Sequence, residues 1–263
     1  MPLTAIFALV MLGVGGCKSA DPTKPPRPAE NLTSFSYADW SRVLTSVVTP
    51  DGYVQWDLIQ TNKDDVRLKL LAFVGLVQAV SPDNRPELFP HPTDGLAYWI
   101  NAYNAMSMYG VVTHNYPASV QSMQNDKFVF GGQTLSLLEV DANKVHEIPD
   151  GRLYFVLNGC AQSSPPLRNA PYDGAVLDAQ LLDQAHVYLR DPRAAARMSD
   201  TVIVSEALLQ HQREIVSELN QGSTRFDGLL AALQSLAPSD SPITGATSLA
   251  GLTFDWSLNR PPR

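Results

Sequence analysis

Apolar residues recur at helical spacing in several segments of the chain. Between residues 37 and 48 they fall at Trp40, Val43, Leu44 and Val47, which is the one-sided pattern of a helix packed on a core. This spacing predicts a first helix over residues 37–48. The same criterion predicts further helices over residues 63–80, 94–114, 177–190, 205–220 and 226–236.

Shorter apolar or alternating segments predict β-strands. The pair Gly131-Gly132 lies between two such segments, an arrangement typical of a hairpin. The predicted strands cover residues 53–56, 127–130, 133–137, 153–157 and 201–204. The predicted fold class is therefore α+β, a helix-rich single domain with a small, mostly antiparallel sheet.

An apolar run from Ala5 to Gly16 ends at Cys17 and is followed by a polar, proline-rich segment. The run has the length of a signal-peptide core and is too short to span a bilayer as a helix. The order Val14-Gly15-Gly16-Cys17 is that of a bacterial lipobox. Residues 1–16 are therefore predicted to be a signal peptide and Cys17 a lipidated residue. The alternative is a plain secretory signal followed by an incidental cysteine.

These features predict a location and domain boundaries. The protein is expected to be exported and held by its lipid to the cell membrane or the outer membrane, with its domain in the periplasm. Residues 17–34 are expected to form a lipidated, proline-rich tether, and residues 35–263 a single domain. The membrane, contacted through Cys17, is the first predicted partner.

Charge, cysteine content and histidine spacing argue against nucleic-acid binding, an intramolecular disulfide and a metal site. The net charge of −7 lies wholly after Cys17, which argues against binding to nucleic acid through bulk charge. Cys160 is the second of the two cysteines, so no intramolecular disulfide is expected once Cys17 is acylated. The five histidines show none of the spacings of a metal site. Neither a metal nor a cofactor is predicted.

Asn101 and Asn104 are the first candidate binding residues. Three positions apart, they share one stripe of the predicted helix 94–114. A buried polar group that lacks partners costs about 1–3 kcal/mol. These amides therefore either tie loop backbone to the helix or contribute directly to a binding site.

The polar loop 158–168, which follows a predicted buried strand, contains further candidates. Loops at strand ends are common places for functional sites. Cys160 or Ser164, or the neighbouring Ser163, could act as a nucleophile if a histidine reached it. The alternative for Cys160 is a packed core residue.

Three more polar residues are candidate binding groups: Asn158 and Arg168 in the loop, and Asp255 near the C-terminus. Arg168 could bind a carboxylate or a phosphate, or it could form a salt bridge. Asp255 could orient a histidine or cap a turn.

Three blocks occur together in this chain: residues 97–105 (AYWINAYNA), 155–167 and 255–259 (DWSLN). Their combination and order resemble the domain of unknown function 547 family over nearly the whole chain after Cys17. The second block departs from the family pattern. Tyr154 stands where the family often has His, Gly159 and Ser164 stand where it often has Cys, and Cys160 is displaced by one position. The resemblance implies a fold more strongly than a reaction, and any thiol chemistry that the family runs through those cysteines is expected to be lost here.

Two functions from different classes follow as hypotheses. In the first, the domain is a lipid-anchored binding or scaffold module, in which Asn101, Asn104 and the loop 158–168 form a groove for a peptide or an envelope glycan. In the second, it is a hydrolase or acyl transferase of papain- or transglutaminase-like type that uses Cys160 or Ser164. The second requires a histidine within hydrogen-bond reach of the thiol or hydroxyl. The departures from the family pattern favour the first.

Overall fold

The computed structural model describes residues 23–29, 31–220 and 227–262. The predicted signal peptide, residues 1–16, and Cys17 lie outside the described residues. Within these ranges the α-helices are α1 Ala38–Val47, α2 Trp56–Gln60, α3 Val66–Ala79, α4 Pro92–Thr113, α5 Leu137–Val140, α6 Leu177–Arg190, α7 Glu206–Gln210, α8 Gln212–Leu219 and α9 Leu229–Leu236. The strands are β1 Lys127–Phe130, β2 Gln133–Ser136, β3 Ala195–Met198, β4 Thr201–Ser205 and β5 Ser248–Leu252.

Helices dominate the fold, and the described strands form two small sheets. β1 and β2 pair antiparallel as the predicted hairpin around Gly131 and Gly132, both of which have positive φ. In the second sheet β4 is central, antiparallel to β3 and parallel to β5. The predicted α+β class is confirmed, with the strands divided between two sheets.

The centre of the fold is α4, a helix of 22 residues. It is apolar on nearly every face and most of its residues are buried, as expected for a helix surrounded by other elements. Beside it, Trp40 of α1 stacks on Phe73 of α3 with ring centroids 5.6 Å apart. The Tyr98 hydroxyl of α4 donates to the carbonyl of Val80 at 2.7 Å and thereby fixes the end of α3. Over the described ranges, no helix combines the length and hydrophobicity that crossing a membrane requires.

The predicted strand 153–157 is wrong. Gly151–Phe155 forms a 3₁₀ helix, and the side chain of Asp150 accepts a backbone N–H of its first turn at 3.0 Å. A short apolar run is compatible with a buried helix as well as with a buried strand. Here it places Leu153 in the main hydrophobic cluster around α4, and Phe155 in a second cluster built on α6, β4 and α9. The turn thus joins two cores.

The predicted strand 53–56 is also wrong. Val54 makes only an isolated antiparallel bridge, and α2 begins at Trp56. The buried indole N–H of Trp56 donates to the carbonyl of Asn259 at 2.6 Å. This tertiary contact outweighs the local preference for an extended strand, which is weak and depends on context.

The second half of the chain differs from prediction in two further respects. The predicted helix 205–220 is two helices, α7 and α8, which are separated at His211. Strands β3 and β5 were not predicted. Most of their residues are partly or fully exposed, so neither shows the alternation of apolar and polar positions on which strand prediction depends.

Part of the predicted tether 17–34 packs on the domain. Pro25 and Pro26 lie against α3 at Gly75, where the backbone of Pro26 leaves no room for a Cβ. Leu32 packs against the main hydrophobic cluster. The glycine therefore permits a close approach of two backbones, and the packed chain begins before residue 35.

Candidate functional site

Asn101 is buried in α4, and its side-chain amide is used within the protein. Its Oδ1 accepts from Trp40 Nε1 at 3.2 Å and from the backbone N–H of Tyr172 at 3.0 Å. Its Nδ2 donates to the carbonyls of Ala97 and Tyr172, both at 2.8 Å. The amide ties α1 and the segment before α6 to α4, which is the structural role considered for it.

Asn104 and Asn158 hold the start of the loop that follows the 3₁₀ helix. Asn104 Oδ1 accepts from the backbone N–H of Asn158 at 2.7 Å, and Nδ2 donates to the carbonyl of Val156 at 3.1 Å. The amide thereby supplies hydrogen bonds that a neighbouring strand would otherwise provide. The side chain of Asn158 accepts from the N–H of Cys160 at 2.9 Å and donates to the carbonyl of Pro165 at 2.6 Å. Both asparagines shape the loop.

Cys160 is a buried side chain with left-handed backbone angles, φ 63°. Its carbonyl accepts from the backbone N–H of Asn259 at 2.8 Å. Burial raises the pKa of its thiol, so the reactive thiolate is disfavoured. These observations favour the packing alternative for Cys160.

Arg168 and Asp255 have partners within the protein. Arg168 Nη1 lies 2.5 Å from Asp183 Oδ2, and its guanidinium lies 5.7 Å from the centroid of the Tyr172 ring. Asp255 Oδ1 accepts from the backbone N–H of Ser257 at 2.9 Å, which is a turn cap. Both arrangements are the structural alternatives considered for these residues.

A cavity of about 570 Å³ lies where α4, α5, the loop 158–168 and α8 meet. Its volume and its mixture of apolar and polar walls are in the range of small-ligand sites. Of the predicted site residues, Ser164 alone lines it. The other polar or titratable residues of its lining include Tyr103, Asp141, His146, Tyr154, His211, Glu214 and Glu218.

An aspartate and a histidine form a pair on one side of this cavity. Asp141–Val145 is a π-helical turn that continues α5, and the backbone N–H of His146 donates to the carbonyl of Asp141 at 2.9 Å. The wide turn brings His146 Nδ1 to 2.6 Å from Asp141 Oδ1. His146 Nε2 has no hydrogen-bond partner among the described residues. Such π turns are frequent at functional sites.

The protonation of His146 is coupled to this pair. Burial lowers the pKa of His146, but the hydrogen bond to Asp141 and the charges of Asp141 and Glu218 outweigh burial, and the net shift is upward from 6.5. The folded protein therefore binds the imidazole proton more tightly than the unfolded chain does. The resulting stabilisation is present below about pH 6.5 and is lost as the pH rises through the folded-state pKa.

Replacing Asp141 with asparagine should lower the pKa of His146, because the effect of burial remains while the largest opposing interaction is lost. An NMR titration of the imidazole protons from pH 4 to 9 measures the change. Asp126→Asn is the control, since Asp126 lies beside a different histidine, His114, and it should leave the His146 titration unchanged. The proposed coupling would be contradicted by equal titrations of His146 in the parent and in Asp141→Asn.

The cavity wall next to His146 is aromatic and acidic. The Tyr154 ring lies between two imidazoles, with ring centroids 4.2 Å from His146 and 5.2 Å from His211. α8 contributes Glu214 and Glu218. Burial raises the pKa of Glu218, and its Oε2 has no hydrogen-bond partner among the described residues. Among all the residues that the structure describes, no group of three or more His, Cys, Asp or Glu side chains is placed to hold a metal ion.

Two buried hydroxyls line the cavity next to Gly159. A Cβ on Gly159 would lie 3.6 Å from Tyr103 Oη and 3.7 Å from Ser164 Oγ. Ser164 Oγ accepts from the N–H of Ala161 at 3.1 Å, so its O–H is available as a donor. Tyr103 Oη makes no hydrogen bond within the described ranges, and burial raises its pKa, so it stays protonated. These hydroxyls, with the space left by Gly159, form the floor of the cavity.

Of the residues of this cavity, the sequence predicted Ser164 alone as a candidate site residue, and it marked Tyr154 and Gly159 only as departures from the family pattern. The pair of Asp141 and His146 was missed because its spacing matches neither an α-helix nor a strand, and only a π turn aligns the two side chains. One pattern in the predicted helix 205–220 could have indicated cavity residues. His211 and Glu218 lie two helical turns apart, and residues so spaced share a face.

Residues 91–189 match the model of a family described as "Protein of unknown function, DUF547". No curated protein and no solved structure matches the chain. The matched range contains the π turn, the floor of the cavity and the loop 158–168. The predicted resemblance to the domain of unknown function 547 family is therefore confirmed for residues 91–189.

Proposed function

We propose that the domain is a cell-envelope binding module whose ligand, a peptide or another envelope component, occupies the cavity of about 570 Å³. The observation that carries this proposal is a set of polar atoms that lack a protein partner within the described ranges. They are Tyr103 Oη, His146 Nε2 and Glu218 Oε2. A buried polar group without a partner costs about 1–3 kcal/mol, and a ligand that pairs with these groups would offset that cost.

The remainder of the cavity wall suits the organic part of such a ligand. Leu138, Leu153, Leu157 and Phe254 contribute apolar surface. Burial of this surface by a ligand would be favourable at about 25 cal/mol per Å². A few polar groups that fix orientation, set within an apolar wall, are the usual composition of a small-ligand site.

The lipid anchor on Cys17 is part of this proposal and is supported by the apolar run and the lipobox order. Because Pro25 packs on α3, the stretch from Cys17 to Pro25 can span at most roughly 29 Å at about 3.6 Å per residue. Such an anchor would hold the α3 face of the domain near the membrane. The cavity would then face components of the cell envelope.

A nucleophilic hydrolase or transferase has less support. No hydrogen bond joins a histidine to Ser164 or Cys160 within the described residues, and Cys160 does not line the cavity. Tyr154, Gly159 and Ser164, the positions at which the chain departs from the family pattern, all line it. A cavity without a thiol or a histidine at these positions suits binding better than thiol chemistry.

Replacing Gly159 with alanine should weaken ligand binding about tenfold or more, because the new methyl group would cover both floor hydroxyls and remove their hydrogen bonds to the ligand. Gly159 does not use the left-handed backbone region, and the new contacts of 3.6 and 3.7 Å are ordinary, so the variant should fold. Saturation-transfer NMR with trialanine amide and with tri-N-acetylglucosamine, followed by titration of whichever binds, measures the effect.

Gly95→Ala is the matched control, because its Cβ would meet only Pro82 at ordinary distances of 3.7 and 3.8 Å and Gly95 lies outside the cavity lining. It should bind as the parent does. The proposed function fails if neither probe binds the parent. It also fails if Gly159→Ala binds a probe as tightly as the parent and Gly95→Ala do.

A further inference from the structure

The cavity lining contains three carboxylates, and its possible cations are the imidazoles of His146 and His211. Asp141, Glu214 and Glu218 line it, and no Lys or Arg is among the described residues of its lining. Asp141 is hydrogen-bonded to His146. The charge of His146 also acts on Glu218, but Glu218 Oε2 has no hydrogen-bond partner among the described residues. Glu214 and Glu218 are four positions apart on α8, and this spacing places both on the same face of a helix.

The floor offers the complementary chemistry. Tyr103 Oη and Ser164 Oγ are both available to donate hydrogen bonds, and both side chains are more than nine-tenths buried. Buried hydroxyl donors prefer an acceptor such as a carbonyl oxygen. The cavity therefore has donors at its floor and carboxylate acceptors at its α8 wall.

We infer that the ligand is a peptide with a free ammonium group, whose ammonium is bound by Glu218 and Glu214 while a backbone carbonyl oxygen accepts from Tyr103 and Ser164. This inference rests on the proposed function, because it assigns the chemistry of the same cavity. Glu218 is half-buried, its Oε2 is buried without a hydrogen-bond partner among the described residues, and an ammonium donor would satisfy it. Glu214 is exposed, so it adds long-range attraction that is screened by solvent.

The polar groups of the cavity also favour this ligand over other ligand classes. A neutral glycan would offer no opposite charge to the two α8 carboxylates. A ligand with a carboxylate or phosphate would be repelled by them, and like-charge contacts in an interface are costly. A peptide ammonium with an adjacent carbonyl provides the opposite charge and the acceptor on one short backbone.

The test compares trialanine amide with N-acetyl-trialanine amide, in which a neutral acetyl group replaces the ammonium charge. Isothermal titration of the purified chain should show about tenfold tighter binding of the free amine, the loss expected when a charge-assisted hydrogen bond is removed. Glu218→Gln should bind the free amine about five- to tenfold more weakly and should reduce the preference over the acetylated peptide. Glu206→Gln is the control, since Glu206 is exposed on α7 and lies outside the cavity lining.

The outcomes distinguish this inference from the proposal on which it rests. Equal affinities for the two peptides, or an unchanged preference in Glu218→Gln, would overturn the ammonium inference and leave a Gly159-dependent binding site standing. Binding of tri-N-acetylglucosamine in place of both peptides would have the same meaning. If no probe binds the parent, both are overturned.

Discussion

Asn101→Ala should lower the free energy of unfolding by about 3–5 kcal/mol, because it removes the partner of several buried groups at once. The substitution would leave the indole N–H of Trp40 and the backbone N–H and carbonyl of Tyr172 without their hydrogen bonds. These groups belong to α1 and to the segment before α6. The loss therefore affects the packing of two elements on α4.

Urea denaturation, monitored by circular dichroism, measures the free energy of unfolding. In a thermal melt, the melting temperature should fall by about 10 °C for a domain of this size. Asn143→Ala is the control, because Asn143 is an exposed asparagine and such surface changes stay within about 0.5 kcal/mol. A destabilisation below about 1 kcal/mol for Asn101→Ala would mean that solvent reaches the groups it leaves behind. The structural role that we assign to the Asn101 amide would then be wrong.

Much of the helical framework could be predicted from the sequence because periodicity records burial. The stripe of Trp40, Val43, Leu44 and Val47 faces the core in α1 as expected. α4 lies close to its predicted range, and the Gly131-Gly132 turn supplies the positive φ that its hairpin needs. In each case the local pattern and the tertiary environment favour the same structure.

Prediction failed where tertiary contacts decide the local structure. The segment after Gly151 has the composition of a buried strand, yet its backbone is bound by Asn104 of α4 instead of by a neighbouring strand. Trp56 begins a helix because its indole is held by the C-terminal segment, far away in sequence. Neither contact leaves a periodic signal in the segment that it controls.

The candidate site was predictable only in part for the same reason. Asn101 and Asn104 were candidates as amides in a largely apolar helix, and Asn158 as a residue of the polar loop. The structure uses all three amides to build the loop and its supports. The residues that face the cavity come from α4, a π turn, the loop and α8, and only the fold brings them together. Ser164 is the residue that both the sequence and the cavity indicate.

Removing residues 254–263 should prevent folding of the domain. The backbone of this segment exchanges hydrogen bonds with the backbone of Ala118, Val120, Cys160, Gln162 and Ser163. At about 1 kcal/mol for each bond, with about 2 kcal/mol for the buried Leu258, the loss is comparable to the whole stability of a typical domain. The expected product is unfolded or aggregated protein.

Circular dichroism melting and the dispersion of amide signals in NMR spectra test this expectation. A chain that ends at Arg260 is the control, because it retains the hydrogen-bonded segment and should melt as the parent does. A cooperative transition within a few degrees of the parent after removal of residues 254–263 would contradict the argument. Phe254 lines the cavity, and the backbone of Asp255 is hydrogen-bonded to Ser163 of the loop. Even if the chain without residues 254–263 folded, we therefore expect it not to bind the peptide. The DWSLN block would then act on function by holding the loop 158–168 in place.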